Sequence, residues 1–326
     1  MPTTAFDDKS EHCIPFILEC LDAHRTRYAE QRDGPAPNQP PPPPPLFLGV
    51  NGIQGSGKTT LVATLQETLT SPSYDLTTVV FSIDDLYLPH DEQVALARSH
   101  PTNPLVQHRG VPGTHDIRAG AQLLQALTRQ ETDVSLPSYD KSAFSGAGDR
   151  RPRSEWTIVN PGGQRPVDVV IMEGWCVGFR ALPDEELLSR WRSAHEKATS
   201  TAGSDEYEGQ LGRVKLEDVA FINDSLRAYD DLTDKLAALI YIDAEDTRFV
   251  YAWRQEQEAA LRAAKGTGMT DEQVVGFVNG YYPCYELYSS ALRGGIFSTA
   301  GKTGRQLHLV VGRDRRLRDV RRVHGS

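Results

Sequence analysis

Short apolar runs alternate along this chain with longer stretches in which apolar residues recur every three or four positions, a pattern that predicts strands and helices in turn. Ile14 to Gln31, with Ile14, Ile17, Leu18 and Leu21 at helical steps, predicts an amphipathic helix packed on the domain ahead of the first strand. Leu46 to Val50 predicts a buried strand, and Thr60 to Leu69 a helix with Leu61, Leu65 and Leu69 on one face. Thr77 to Ile83 and Val167 to Met172 predict the second and third strands, with helices over Glu92 to Arg98 and Ile117 to Leu127 between them. Ser138 to Gly163, rich in Gly, Pro, Ser and charge, predicts a loop or irregular excursion. A helix through Leu187, Leu188 and Trp191 opens a polar stretch, around 183–212, that predicts an insertion. A helix with Val219, Ile222 and Leu226 then leads to a fourth strand from Ala237 to Ile242. Asp243 to Ala264 predicts a long charged helix, and Thr270 and Asp271 open another that runs toward Tyr281, Tyr282, Tyr285 and Tyr288, aromatic residues expected to pack. Leu307 to Val311 predicts a fifth strand, and the mixed arginines and aspartates of Arg313 to Arg322 a solvated helix. Apolar strands separated by helices predict an α/β fold: a five-stranded parallel sheet with helices on both faces.

Composition bounds this picture. At 326 residues, with 39% hydrophobic and 24% charged, the chain is a globular one with no run long enough to span a membrane. The net charge of −9 argues against a nucleic-acid binder. Cys13, Cys20, Cys176 and Cys284 are scattered without a C-x-x-C pair and predict reduced thiols in a cytoplasmic protein, and the N-terminus lacks the order of a signal or transit peptide. The predicted organisation is an N-terminal helix in 1–33, a Pro-rich linker or surface loop in 34–45 with six prolines from Pro40, and one domain in 46–326. The prolines predict a spacer, with a proline-reading protein partner as the alternative.

One stretch carries recognisable chemistry. Gly52-Ile53-Gln54-Gly55-Ser56-Gly57-Lys58-Thr59 fills the phosphate-binding pattern G-x-x-x-x-G-K-[ST], between a predicted strand and a predicted helix. The glycines let successive N–H groups, from Gly52 through Gln54, Gly55, Ser56 and Gly57 to Thr60, face phosphate oxygens, with the positive end of the helix dipole behind them. Lys58 would reach the β/γ-phosphates of ATP and Thr59 would hold Mg²⁺. In a parallel sheet ligands sit beyond the carboxyl ends of the strands, which directs attention to Asp84 and Asp85 after the second strand and Glu173 after the third. Phosphoryl transfer needs a metal and a group that orients or deprotonates the acceptor hydroxyl. Asp84 is the predicted base and a metal-side carboxylate, one of the aspartate pair is expected to cap a turn, and Glu173 is predicted near the metal.

Glu173-Gly174 after an apolar strand, with an aspartate after the second strand, resembles the phosphoribulokinase, uridine kinase and pantothenate kinase superfamily of P-loop kinases. Ser82-Ile83-Asp84-Asp85-Leu86-Tyr87, Arg109 through Asp116, Leu136 through Lys141, Glu173 through Phe179 and Trp253 through Glu258 together resemble the plant and fungal D-glycerate 3-kinases, over about residues 46 to 312. The resemblance implies a P-loop NTPase fold with a helical lid and ATP-dependent phosphorylation of D-glycerate, a small hydroxylated acceptor. It makes Asp84 the base and Glu173 the metal-side glutamate, and puts Arg248 and Arg254 in the lid. Asp116 and Tyr139-Asp140-Lys141 line the acceptor pocket, so the acceptor-side set is Asp85, Tyr87, Arg109, Asp116, Tyr139 and Lys141. A carboxylate acceptor also asks for cations, with Arg109, Lys141, Arg150 and Arg254 as candidates, and a lid arginine can stabilise the transferring phosphoryl group. His108 and His115 read as satisfied polar residues. A nucleoside or pantothenate-like acceptor, or an ATP-binding regulatory or scaffold protein, remain the alternatives.

Overall fold

The computed structural model describes residues 7–31, 42–200, 208–266, 268–297 and 303–324. In chain order its strands are β1 (Leu46–Gly52), β2 (Thr78–Ser82), β3 (Val134–Leu136), β4 (Tyr139–Asp140), β5 (Asp149–Arg150), β6 (Thr157–Val159), β7 (Val169–Gly174), β8 (Ala238–Ala244), β9 (Gln306–Val311) and β10 (Leu317–Val323). The helices are α1 (Ser10–Glu30), α2 (Lys58–Thr70), α3 (His90–Ser99), α4 (Ile117–Thr128), α5 (Asp184–Ser200), α6 (Leu216–Leu226), α7 (Asp230–Thr233), α8 (Phe249–Lys265) and α9 (Asp271–Gly294).

The main sheet has the order β10-β9-β8-β1-β7-β2. Its four pairings from β2 to β9 are parallel, and β1 and β8 at its centre are buried along their whole length. Central parallel strands have helices over both faces, which is why they read as unbroken apolar runs. α1 and α2 cover one face, α1 through Cys13, Phe16, Ile17, Cys20 and Leu21. α9 covers the other, where Arg293 reaches Asp243 of β8 and the Gln306 amide of β9 donates to the Leu292 carbonyl. The aromatic run of α9 packs as expected, with Tyr281, Tyr282, Tyr285 and Tyr288 all buried. Thr270 and Gln273 form a capping box that starts this helix.

The expected sheet of five strands is corrected to six. Arg313 to Arg322 does not form a solvated helix, because Leu317–Val323 pairs antiparallel to β9 with a register irregularity between Leu317 and Asp319. The three-residue spacing of Leu317, Val320 and Val323 suits a helix, but the open edge of β9 offers a full ladder of backbone partners. Its exposed arginines and Asp319 then protect the new edge. Asp243 belongs to β8 and not to the charged helix, which begins at Phe249. The stretch from Ser138 to Gly163 is more regular than a loop: β4 pairs with β5 and β6 with β3, both antiparallel. In the stretch 183–212, α5 packs against the turn Leu211–Arg213 and against α6, and residues 201–207 fall outside the description. The proline-rich stretch lies mostly outside the described residues as well. All four cysteines are buried and unpaired. Among the described residues no helix is long and apolar enough to cross a membrane.

Candidate active site

The carboxyl ends of β1, β2 and β7 lie side by side, so the groups that follow them converge. After β1, the chain turns through Gly55 (φ +78°) and Gly57 (φ +96°), a region that favours glycine, and enters α2 at Lys58. A Cβ on Gly55 would stand 2.5 Å from the Cβ of Trp253 on α8, so the loop is also held close to that helix. Lys58 curls back over the loop, its Nζ donating to the carbonyls of Gly52 (2.5 Å) and Ile53 (3.2 Å). Burial lowers the pKa of its ammonium, while Glu173 and then Asp84 oppose that shift. Ser56 Oγ and Gln54 Oε1 are buried without a hydrogen-bond partner among the described residues, and Thr59 and Thr60 are exposed on the first turn of α2. Unclaimed polar groups on a glycine loop at a helix N-terminus fit a bound phosphate chain.

The two aspartates after β2 take different parts. Asp85 is the cap: its Oδ2 accepts from Ser82 N–H (3.1 Å) and its Oδ1 from Tyr139 N–H (3.2 Å). Both carboxylate oxygens of this predicted acceptor residue are thus engaged by backbone, and they tie β2 to β4. Asp84 pairs with Lys141 Nζ at 2.5 Å and hydrogen-bonds the Tyr87 hydroxyl. Burial pushes the Asp84 carboxyl up, but the Lys141 ammonium outweighs it, with help from His115 and Tyr87, and holds it below the usual carboxylate range. Glu173, directly opposite Ser82 in the ladder between β2 and β7, completes the acidic wall facing Lys58.

The remaining acceptor-side residues form a wall behind Asp84. Tyr87 and Tyr139 meet edge to face at 5.3 Å, and the Arg109 guanidinium lies over both rings, 5.9 and 5.5 Å from their centroids. Arg109 binds no carboxylate; it holds the carbonyls of Gly146 (2.7 Å), Ala147 and Lys141 (3.2 Å) and so fixes the loop that carries Lys141. The Tyr139 hydroxyl is buried and unpartnered among the described residues. Asp116 caps α4 through Ala119 N–H (2.9 Å) and pairs with Arg150 (3.1 Å), which also donates to the Tyr87 carbonyl (3.0 Å). Asp116 and Arg150 therefore brace the Tyr87 segment with groups already taken.

The lid arginines separate. Arg248 pairs with Asp246 and Glu208. Arg254 is held by Glu258 and lies 5.0 Å from the centroid of Phe277, with Nε buried and unpartnered among the described residues; its neighbour Trp253 is the residue that touches Gly55. Arg315, which the motifs did not single out, reaches from the turn before β10 to the Gly55 carbonyl (2.8 Å) and stacks over Trp253 at 5.4 Å. It lies far from the loop in sequence, and no spacing rule could have found it.

His115 is the second residue that sequence reasoning passed over. Its ring stacks on Tyr87 (4.5 Å), and Nδ1 lies 2.6 Å from the Tyr229 hydroxyl, which accepts from Gly113 N–H (3.0 Å). With that N–H occupying one lone pair, the Tyr229 proton points to Nδ1, so neutral His115 carries its proton on Nε2. Nε2 is buried with no partner among the described residues. Burial holds the imidazole down at about 4, with Lys141 adding to the shift and Asp84 opposing it. The signal in the sequence was only its place beside Asp116.

No protein-family model matches the chain. It is 41% identical over 253 residues to the Schizosaccharomyces pombe protein described as the uncharacterized kinase mug58, covering 77% of this chain and 84% of that protein. It is 32% identical to the chloroplastic D-glycerate 3-kinase of Arabidopsis thaliana over 86% of this chain and 54% of that protein. The solved structure of D-glycerate 3-kinase from Cryptococcus neoformans superposes with a TM-score of 0.80 at 32% identity, covering 97% of this chain and 99% of that one.

Proposed function

The chain belongs to the D-glycerate 3-kinase family of P-loop kinases, and from that premise we propose that it transfers the γ-phosphoryl group of ATP to D-glycerate, giving 3-phosphoglycerate. The observation that carries the reading is Asp84: one carboxylate is joined at 2.5 Å to a lysine on the acceptor side and faces the Lys58 ammonium of the phosphate loop on the other. A base at the junction of donor and acceptor is what a kinase needs and what a nucleotide-binding scaffold does not.

The loop amides and Lys58 would cradle the phosphates and take up charge as the bond to the leaving oxygen breaks. Thr59 would hold Mg²⁺ with Glu173 on its water shell. An ion held there would supply positive charge against the charge that develops during transfer. Asp84, kept ionised by Lys141, accepts the hydroxyl proton of the acceptor. Lys141 and Arg109 supply cations for the glycerate carboxylate, with Tyr87, Tyr139 and His115 as the wall that positions the acceptor. Asp85, Asp116 and Arg150 support that wall. Arg254, one residue from the contact between α8 and Gly55, supplies the lid cation. The four unpaired cysteines support a reducing compartment such as the cytoplasm.

A screen of ADP release with glycerate, uridine, pantothenate and ribulose phosphate tests the acceptor, and glycerate should be the one that stimulates. Asp84→Asn should lower kcat by roughly 10²- to 10⁴-fold with ATP binding retained. Turnover of glycerate by that variant at the wild-type rate would refute the assignment of the base.

A further inference from the structure

A cleft of about 450 Å³ is lined by His90, Gln93, Arg98, His108, Arg109 and Ala147, and Asp84 is not part of its wall. Its size suits a metabolite. His90, Gln93 and Arg98 share the helical spacing of one α3 face, while the acidic Asp91 and Glu92 are exposed. Among the described residues neither Arg98 nor Arg109 has a carboxylate within ion-pair distance, although the chain as a whole carries −9 and Arg150 and Arg151 next to the loop are both paired. Asp149, two residues beyond Ala147, accepts from the backbone N–H of His90 and Arg150. Gln93 is 7% exposed; its amide nitrogen donates to the Val106 carbonyl (2.9 Å), which fixes the orientation of the amide, and its Oε1 is buried without a partner. Two guanidiniums without a carboxylate partner among the described residues, two imidazoles and one unfilled acceptor describe a ligand that is anionic and also bears a hydroxyl.

We propose that this cleft is a second anion site, separate from the phosphate loop, and that it takes a phosphomonoester bearing a hydroxyl, the chemical class of the kinase's own product. Only the identity of that product rests on the glycerate reading. Arg109 is shared between the two sites. An anion in the cleft draws its guanidinium away from the carbonyls of Gly146, Ala147 and Lys141 and loosens the loop that presents Lys141 to Asp84. Product at the cleft therefore slows the enzyme from outside the acceptor site, and because Arg109 also serves the glycerate carboxylate the inhibition is mixed.

Initial rates with added 3-phosphoglycerate test this. The wild type should show inhibition that saturating glycerate does not fully relieve. Arg98→Gln should keep kcat and KM and raise that inhibition constant about tenfold, the loss of one charge-assisted contact. His108→Gln, at an exposed position, should weaken it in the same direction. Inhibition purely competitive with glycerate, or equal in wild type and Arg98→Gln, overturns the proposal. Calorimetric titration of 3-phosphoglycerate and of inorganic phosphate into wild type, Asp84→Asn and Arg98→Gln decides the matter even where glycerate proves not to be turned over. Binding retained in Asp84→Asn, about tenfold weaker in Arg98→Gln and weaker for phosphate alone supports the site. Equal binding by wild type and Arg98→Gln, or equal affinity for the two ligands, sinks it.

Discussion

In Gly55→Ala the added methyl would stand 2.5 Å from Trp253 Cβ, against the roughly 3.5–4.0 Å of an ordinary carbon contact. About 1 Å or more of movement is needed, and it cannot come from the tryptophan. Trp253 is completely buried, its Nε1 is bonded to the Arg313 carbonyl (2.7 Å), and its Cβ is fixed to the α8 backbone. The phosphate loop must shift instead, and alanine at φ +78° adds about 1–2 kcal/mol of backbone strain to an overpacking cost of about 1–3 kcal/mol. A displacement of 1 Å in a positioning element costs on the order of 10²-fold in rate. We therefore expect kcat/KM for ATP to fall about 10²-fold, and the free energy of unfolding to drop by about 2–5 kcal/mol. Coupled ADP-release kinetics and urea unfolding followed by tryptophan fluorescence measure the two. A variant with wild-type kinetics and an unchanged unfolding midpoint would show that the Gly55–Trp253 contact does not position the loop.

Other residues make independent predictions. Lys141→Met removes the main charge that holds Asp84 below its ordinary range and leaves burial opposed only by His115 and Tyr87, so the acidic limb of kcat/KM should move to higher pH; an unmoved limb would separate Lys141 from the base. His115→Ala should lower kcat about tenfold through a displaced Tyr87 while the KM for ATP stays put, with partial recovery in His115→Gln, which can still accept from the Tyr229 hydroxyl; a change confined to ATP affinity would contradict that role. Asp243 is buried, and despite burial its bonds to His308, Arg293 and Tyr241 pull it down to about 2. Because the folded value is depressed, its stabilisation is fully present above the unfolded value near 3.8 and is lost as pH falls through that value toward 2. That loss is about 2 kcal/mol. Urea unfolding across pH should show it in wild type and not in Asp243→Asn; identical slopes would place the linkage elsewhere.

Much of the donor half of the site was written locally. A strand, a glycine loop, a lysine and a helix are contiguous, so Gly52 to Thr60 could be recognised without knowing what else they touch, and the rule that ligands collect at the carboxyl ends of parallel strands then pointed to Asp84 and Glu173. That one of Asp84 and Asp85 would cap a turn was foreseen, because aspartate is a strong turn acceptor. The partners that enforce it were not. Tyr139 N–H and Lys141 reach the pair from more than fifty residues away, and only the β4–β5 ribbon brings them there.

What the chain's own pattern determined was therefore whatever depends on residues close in sequence: the periodicity of strands and helices, the phosphate loop and the polarity of strand ends. The tertiary structure decided what depends on a neighbour from elsewhere. Leu317–Val323 became a strand because β9 had an open edge, against a spacing that suited a helix. Arg109 faces carbonyls, Asp116 and Arg150 face each other, and His115 took its tautomer from Tyr229, all through contacts that hydrophobic patterning does not encode. Backbone pairing and side-chain charge are satisfied by whichever partner the fold delivers, and that choice is made only when the distant segments meet.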